Sequence, residues 1–230
     1  MNNFWEKQSS QKPSFIHSLS NLSADYNFSK EKNLSEKKSI EDIFKKININ
    51  FDSTLEIGAG TCQWTALLGK VSKTVLSTDT SKGMLTKGIE YMNDKHKNIK
   101  NISYFFGDIM EINDPKNSPY DLIFISGLVL YLDDHNFLKM FEFLKKNTKY
   151  SSYVFLREPV GVNEKYVINN KYSEELKTNY SAIYRKEDSF IELFRKNNFN
   201  LLTNEWLHPS GSKFNKWSET RLKLMLFRRI

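Results

Sequence analysis

The sequence predicts an α/β protein: a doubly wound, mostly parallel seven-stranded sheet with helices on both faces and a terminal antiparallel pair. Three observations carry this. Short apolar, β-branched runs alternate with helical patterns of about 10 to 15 residues, the signature of parallel strands joined by covering helices. The first such run closes on the glycine turn of "STLEIGAGTCQWT" (53–65), a strand-to-helix corner of the kind that receives ligands in open α/β sheets. The C-terminal stretch "NLLTNEWLHPSGSKFNKWSETRLKLMLF" reads as two strands around a polar turn containing Pro209 and Gly211.

Each element follows in order. Residues 1–34 are polar, Ser- and Asn-rich, with scattered aromatics (Phe4, Trp5, Phe15, Tyr26, Phe28); they read as an irregular arm or lid before a domain spanning 35–230. "SEKKSIEDIFKKI" (35–47) offers Ser35 as N-cap and puts Ile40, Ile43 and Phe44 at helical spacing. Strands are then predicted at "STLEIG", "KTVLSTD", "NISYFFGD", "YDLIFIS" and "SSYVFLRE", and helices at "CQWTALLGKV", "SKGMLTKGIEYMNDK" and "DDHNFLKMFEFLKKN". The stretch from about 160 to 184 is long, aromatic and without a clear period, an insertion on the substrate side. "KEDSFIELFRKNNF" restores a helix with Phe190, Leu193 and Phe194 on one face. No internal repeat is evident.

Composition bounds the function. A chain of 230 residues, 39% hydrophobic and 27% charged, suits one globular domain with a small appendage. Its longest apolar run, Leu122 to Leu132, is far short of the roughly 20 residues that span a bilayer, so no membrane association is expected. The N-terminus lacks the apolar core of a signal peptide, and the single cysteine, Cys62, makes no internal disulfide; both favour a reducing cytoplasm. The net charge of +7 invites nucleic acid, but the lysine clusters are short, scattered and mixed in sign, so a solvated basic surface is the favoured reading.

Gly58 and Gly60 strip the turn of side chains. A dinucleotide fingerprint would place a third glycine at 63, which is Gln63. Glu56, two residues before the first glycine, would also oppose a diphosphate; a cationic ligand suits it better.

"EIGAGTC" resembles the first motif of the class I S-adenosylmethionine-dependent methyltransferases, matching at Glu56, Gly58 and Gly60 and departing at Cys62, where that family usually has a third glycine. The resemblance extends to later strand ends and covers about residues 36–158. It implies a Rossmann-like methyltransferase fold and S-adenosylmethionine as cofactor. Cofactor contacts would fall on Glu56, Gly58, Ala59, Gly60, Asp79, Met84, Asp108, Ile109 and Ser126. Asp79 would accept the ribose hydroxyls, with a helix N-cap as its other reading; Met84 would pack beside the adenine or serve as plain core. Asp108 and the Ile109 N–H would meet the ring, and Ser126 would lie near the methionine portion. The cofactor is net cationic, which agrees with three carboxylates on one rim.

The acceptor is read more coarsely. Methyl transfer is an in-line displacement in which the protein aligns a nucleophile and, for an alcohol, removes its proton. Many relatives carry a His after the fourth strand, where this chain has Tyr131. Candidate catalytic groups are Glu158, His208 and Tyr184; His135 is a further candidate base whose other reading is first-turn surface below an Asp133 or Asp134 cap. Arg157, Arg185 and Tyr131 are candidate substrate contacts. Arg157 and Glu158 would either bind substrate or brace the following loop, and Arg185 would otherwise pair with Asp188 or Glu187. No metal is expected. The position of the base-methylating Asn/Asp-Pro-Pro motif reads "SGLV", and Cys62 is misplaced for pyrimidine-carbon chemistry. The expectation is therefore methylation of a small or medium polar acceptor at oxygen. An RNA or protein methyltransferase, a noncatalytic binding module and, distantly, a dehydrogenase are the competitors.

Overall fold

The computed structural model describes residues 2–11, 26–114, 116–174 and 178–230. Its main sheet has seven strands, mostly parallel. The chain divides into two compact units, each described in turn.

The first unit holds the described residues up to Asn117, with Glu174. It contains α1 (Asn2–Gln11), α2 (Tyr26–Ile47), β1 (Phe51–Ile57), α3 (Thr65–Val71), β2 (Ser72–Asp79), α4 (Lys82–Lys95) and β3 (Ile102–Phe106). Its strands lie in the order β3-β2-β1, all parallel, as strands separated by helices require. The predicted irregular arm is different: residues 2–11 are helical, α2 starts at Tyr26, and Phe15 lies outside the described residues. Ser35 is therefore inside α2 and caps nothing; its carbonyl accepts from Ser39 Oγ at 3.2 Å. The buried stripe of α2 begins at Ser29, Asn33 and Glu36 before reaching Ile40 and Ile43. It has helical spacing, but its first members are polar and leave no hydrophobic period. Helix α4 is capped by Ser81, whose Oγ accepts from Met84 N at 3.2 Å.

The second unit holds Ser118–Ser173 and Thr178–Ile230. Its elements are β4 (Tyr120–Ser126), α5 (Asp134–Lys146), β5 (Thr148–Gly161), β6 (Tyr166–Ser173), β7 (Thr178–Tyr184), α6 (Glu187–Arg195), β8 (Phe199–Trp206) and β9 (Thr220–Arg229). The strand order is β4-β5-β9-β8, with β4 and β5 parallel and β9 antiparallel to both neighbours. Aromatic residues join helices to sheet: Phe194 of α6 stacks on Phe227 at 4.0 Å and meets Phe141 of α5 edge-on at 4.9 Å. The aperiodic insertion is β6 and β7, paired antiparallel as a separate two-stranded sheet. Strand β5 runs on to Gly161, so Arg157 and Glu158 lie inside it rather than at its end. Among the described residues no helix is long and apolar enough to cross a membrane.

Candidate active site

In the first unit, β1 delivers its C-terminus into a turn whose first three N–H donors are already taken. The N–H groups of Gly58 and Ala59 both donate to Thr78 O at 2.9 Å, and Gly60 N donates to Asp79 Oδ2 at 2.7 Å. A diphosphate would need such donors free; this turn offers bare backbone instead. Gly60 takes a φ of 55°, and Met84 lies above it, its methyl 3.9 Å from where a Cβ would stand. Cys62, at the third-glycine position of the motif, is fully buried with a φ of 60°; a non-glycine residue is strained there. Met84, Ala59 and Cys62 are all core.

Glu56 lies buried beneath the turn. Its Oε2 accepts from Thr65 Oγ1 at 2.6 Å and from Ser77 Oγ at 2.7 Å, while Oε1 has no hydrogen-bond partner among the described residues. Burial pushes its carboxyl up to about 7, opposed by the two hydroxyls and reinforced by the nearby Asp79. Asp79 is raised too, by burial first, although its oxygens take Ser81 N at 2.8 Å as well as Gly60 N. Asp79 is thus not the N-cap of α4 but a brace between the turn and that helix. Asp108 is exposed and caps the 3₁₀ turn Ile109–Glu111, its Oδ1 accepting from Met110 N at 2.9 Å. A buried carboxylate with an unused oxygen, below a turn whose Gly58, Ala59 and Gly60 N–H groups are engaged, fits a cationic ligand such as S-adenosylmethionine; Glu56, Asp79 and Asp108 are the residues that would hold it.

From α1, Glu6 accepts from Ser81 Oγ at 2.8 Å and from Gly83 N at 3.1 and 3.2 Å, so α1 is pinned to the start of α4, two residues from Asp79. Sequence reasoning missed Glu6, Thr65 and Ser77, because single polar residues far apart in sequence carry no pattern.

The second unit gathers most of the expected substrate residues. Arg157 Nη1 donates to Ser126 Oγ at 3.1 Å. Glu158, fully buried, accepts on Oε1 from Leu128 N at 2.9 Å and Val129 N at 3.2 Å; its Oε2 has no hydrogen-bond partner among the described residues. Burial lifts the Glu158 carboxyl to about 7 against the pull of those N–H groups and of Arg157. Arg185 does not pair with Asp188 or Glu187. It donates to Asp134 through Nε at 3.2 Å, to Val129 O at 3.2 Å and to Leu132 O at 2.9 Å, lying 4.8 Å over the Phe137 ring. The segment 126–134 is therefore tied from both sides, by β5 and by the residue after β7.

That segment carries Tyr131 toward Glu158, Tyr180 and Tyr184. Burial raises the Tyr131 hydroxyl, helped by Tyr180 and Glu158, and burial with the neighbouring Tyr180 and Tyr131 raises Tyr184. Tyr166 lies against Tyr184 at 5.9 Å between ring centroids. Tyr166 and Tyr180 were not foreseen; the only signal was the tyrosine density of the insertion. His208 is buried, its ring 4.9 Å from Phe214 and its carbonyl accepting from Arg221 at 2.6 Å. Asp133 caps α5 through Asn136 N at 2.7 Å, with His135 exposed in the first turn.

Comparison with known proteins gives a family match and several similar proteins. The family described as "Methyltransferase domain" matches residues 54–149. Over 107 residues the chain is 30% identical to phosphoethanolamine N-methyltransferase 3 of Arabidopsis thaliana, covering 46% of this chain and 21% of that protein. Over 80 residues it is 34% identical to phosphoethanolamine N-methyltransferase 1 of Caenorhabditis elegans, covering 35% and 16%. The chain thus spans about a fifth of the length of these relatives. Its fold is similar to that of Haemonchus contortus phosphoethanolamine N-methyltransferase 1 in complex with phosphoethanolamine and S-adenosylhomocysteine, with a TM-score of 0.71 and 20% identity over 99% of this chain and 48% of that one. It is also similar to magnesium protoporphyrin IX methyltransferase of Synechocystis with bound S-adenosylmethionine, with a TM-score of 0.65 and 9% identity over 99% and 90%. Residues 54–149 thus match the methyltransferase-domain family, and the fold is that of the solved methyltransferases to which the chain is similar.

Proposed function

We propose that the chain methylates the amine nitrogen of a small polar acceptor of the phosphoethanolamine kind, with Glu158 as the group that receives the amine's proton. The observation that carries this is the Glu158 carboxylate: buried, tied down through Oε1, its Oε2 unengaged by the described residues, and titrating at about 7. When bound, S-adenosylmethionine supplies a sulfonium methyl that a nitrogen lone pair attacks in line. An ammonium has no lone pair, so its proton must leave first. A carboxylate titrating near neutrality is matched to that task, and a carboxylate beside tyrosine rings also suits an alkylated ammonium.

The oxygen acceptor expected from the sequence gives way to nitrogen for two reasons: the named relatives are N-methyltransferases, and a carboxylate of this strength matches an ammonium far better than an alcohol. In this reading Tyr131 and Tyr184 line the acceptor site, Arg157 and Arg185 position segment 126–134, and His208 packs. Helix α1, held by Glu6, serves as the cover that the N-terminal arm was expected to provide.

The test is methyl transfer from labelled S-adenosylmethionine to phosphoethanolamine, with matched alcohols as controls. Glu158→Gln keeps an acceptor for the Leu128 and Val129 N–H groups, so it should fold and bind but lose about 10² to 10⁴ in kcat. The wild-type rate should rise with pH through about 7. Full activity in Glu158→Gln, or transfer to the alcohols alone, would refute the assignment.

A further inference from the structure

The buried face of α2 changes character along its length. Ser29, Asn33, Glu36, Ile40 and Ile43 follow one another at helical spacing and are all buried, so one continuous face of the helix is covered. Its C-terminal half is apolar and its N-terminal half polar. Glu36 has Lys32 at 3.9 Å, but Ser29 Oγ and Asn33 Nδ2 have no hydrogen-bond partner among the described residues. Buried polar groups are nearly always paired, and two left unmade cost stability.

The position of that polar half follows from the other end of α2. There Phe44 meets Phe51 at the start of β1, edge-on at 5.9 Å, and Phe44 and Asn48 share a cavity with Leu67 and Val71 at the end of α3. Ser72, next in the chain, is the register partner of Phe51, so α2 and α3 finish together at the edge of the sheet where β1 and β2 begin. At about 1.5 Å per residue, Ser29 and Asn33 stand about 22 and about 16 Å back along the helix from Phe44. At about 3.3 Å per residue, β1 carries the chain about 23 Å from Phe51 to Gly58. The polar half of the α2 face is therefore level with the glycine turn.

The turn has matching groups. Thr61 Oγ1, Gln63 Nε2 and Glu56 Oε1 are buried and likewise have no hydrogen-bond partner among the described residues. Asn33 Nδ2 and Gln63 Nε2 only donate, an ionised Glu56 only accepts, and the hydroxyls do either. A group that answers two amide donors and a carboxylate at once has a negative and a positive end, which is the chemistry of an α-amino acid zwitterion and not of a nucleoside.

The geometry points to a pocket for the amino-acid end of the cofactor, in which Asn33 of α2 and Gln63 of the turn donate to its carboxylate and Glu56 accepts from its ammonium, with Ser29 and Thr61 supplying hydroxyls. This rests on the assignment of S-adenosylmethionine to the glycine turn and adds the part of the ligand by which the chain selects it.

The test compares S-adenosylhomocysteine with methylthioadenosine, which keeps the nucleoside and the thioether but lacks the amino acid, by calorimetry on the wild type and on Asn33→Leu. The wild type should bind S-adenosylhomocysteine tighter by about tenfold or more. Asn33→Leu should weaken S-adenosylhomocysteine by about 10- to 100-fold and leave methylthioadenosine unchanged. Its thermal midpoint without ligand should equal or exceed that of the wild type, because an unmet buried donor gives way to an apolar group of similar size. Hydrogen exchange at residues 26–36 should slow with S-adenosylhomocysteine and not with methylthioadenosine. Equal affinity of the wild type for the two ligands, an equal loss of both in Asn33→Leu, a lowered midpoint, or exchange that ignores the ligand would overturn the proposal. A wild type that binds neither ligand overturns the cofactor assignment itself, and this pocket with it.

Discussion

Glu56 and Glu158 are the two residues whose environment is most at odds with their charge. Each is buried, and each has its carboxyl raised from an ordinary 4.5 to about 7. Between those values the folded state holds a proton that the unfolded chain has lost. Their stabilising contribution is therefore complete below about pH 4.5 and is lost as pH rises through about 7, each group accounting for about 3 kcal/mol across that window. Asp134, lowered by its hydrogen bond from Arg185, works in the opposite direction, so the comparison must be with variants. In urea unfolding at pH 5 and pH 8, Glu56→Gln and Glu158→Gln should each reduce the stability that the wild type loses on going to pH 8; an unchanged pH dependence would show that these carboxyls are not raised. Glu56 and its turn were legible in the sequence because the spacing of an acidic residue and two glycines is a local pattern. The hydroxyls of Thr65 and Ser77 that hold its oxygen come from a helix and a neighbouring strand, and only the fold brings them together.

Helix α4 meets the glycine turn through Gly88. A Cβ there would stand 2.4 Å from Cys62 Sγ and 2.8 Å from the Thr61 carbonyl carbon, and backbone cannot step aside. Gly88→Ala should cost about 1 to 3 kcal/mol, read from the urea midpoint; a neutral result would mean that α4 can slide on the turn. Segment 126–134 makes a matching case in the second unit. Arg185 serves two backbone carbonyls and Asp134 with one planar group, a pattern an ammonium cannot copy. Arg185→Lys should therefore fail to rescue Arg185→Ala, both losing about 2 kcal/mol; full rescue by lysine would contradict the brace. The sequence placed Arg185 before a late helix but could not find its partner, because Asp134 lies 51 residues away and two acidic residues stand much nearer.

Across the whole chain, the alternation of apolar runs and amphipathic helices was enough to read the seven-stranded sheet and its antiparallel end, since burial on both faces writes near-continuous apolar strands such as "LIFIS". Two regions escaped that logic. The start of α2 buries Ser29, Asn33 and Glu36, so its inner face looks like a solvated one. The β6–β7 pair stands outside the main sheet and buries only Ala182; yet it carries Tyr184, which in the proposed reading lines the acceptor site, with Tyr166 and Tyr180 beside it. Features fixed by burial in the sheet were readable, and those fixed by pairing between distant polar groups were not.

Calorimetric titration with S-adenosylmethionine, in two buffers of different ionisation enthalpy near pH 7, tests the central claim most directly. Saturable binding is predicted, with protons released as the cationic ligand favours the charged form of Glu56. Glu56→Ala should weaken binding by about 10- to 100-fold, as for the loss of a charge-assisted contact, and NAD should give no heat. Absence of binding, equal affinity in Glu56→Ala, or comparable binding of NAD would contradict the account of the glycine turn and of the methyl transfer built on it.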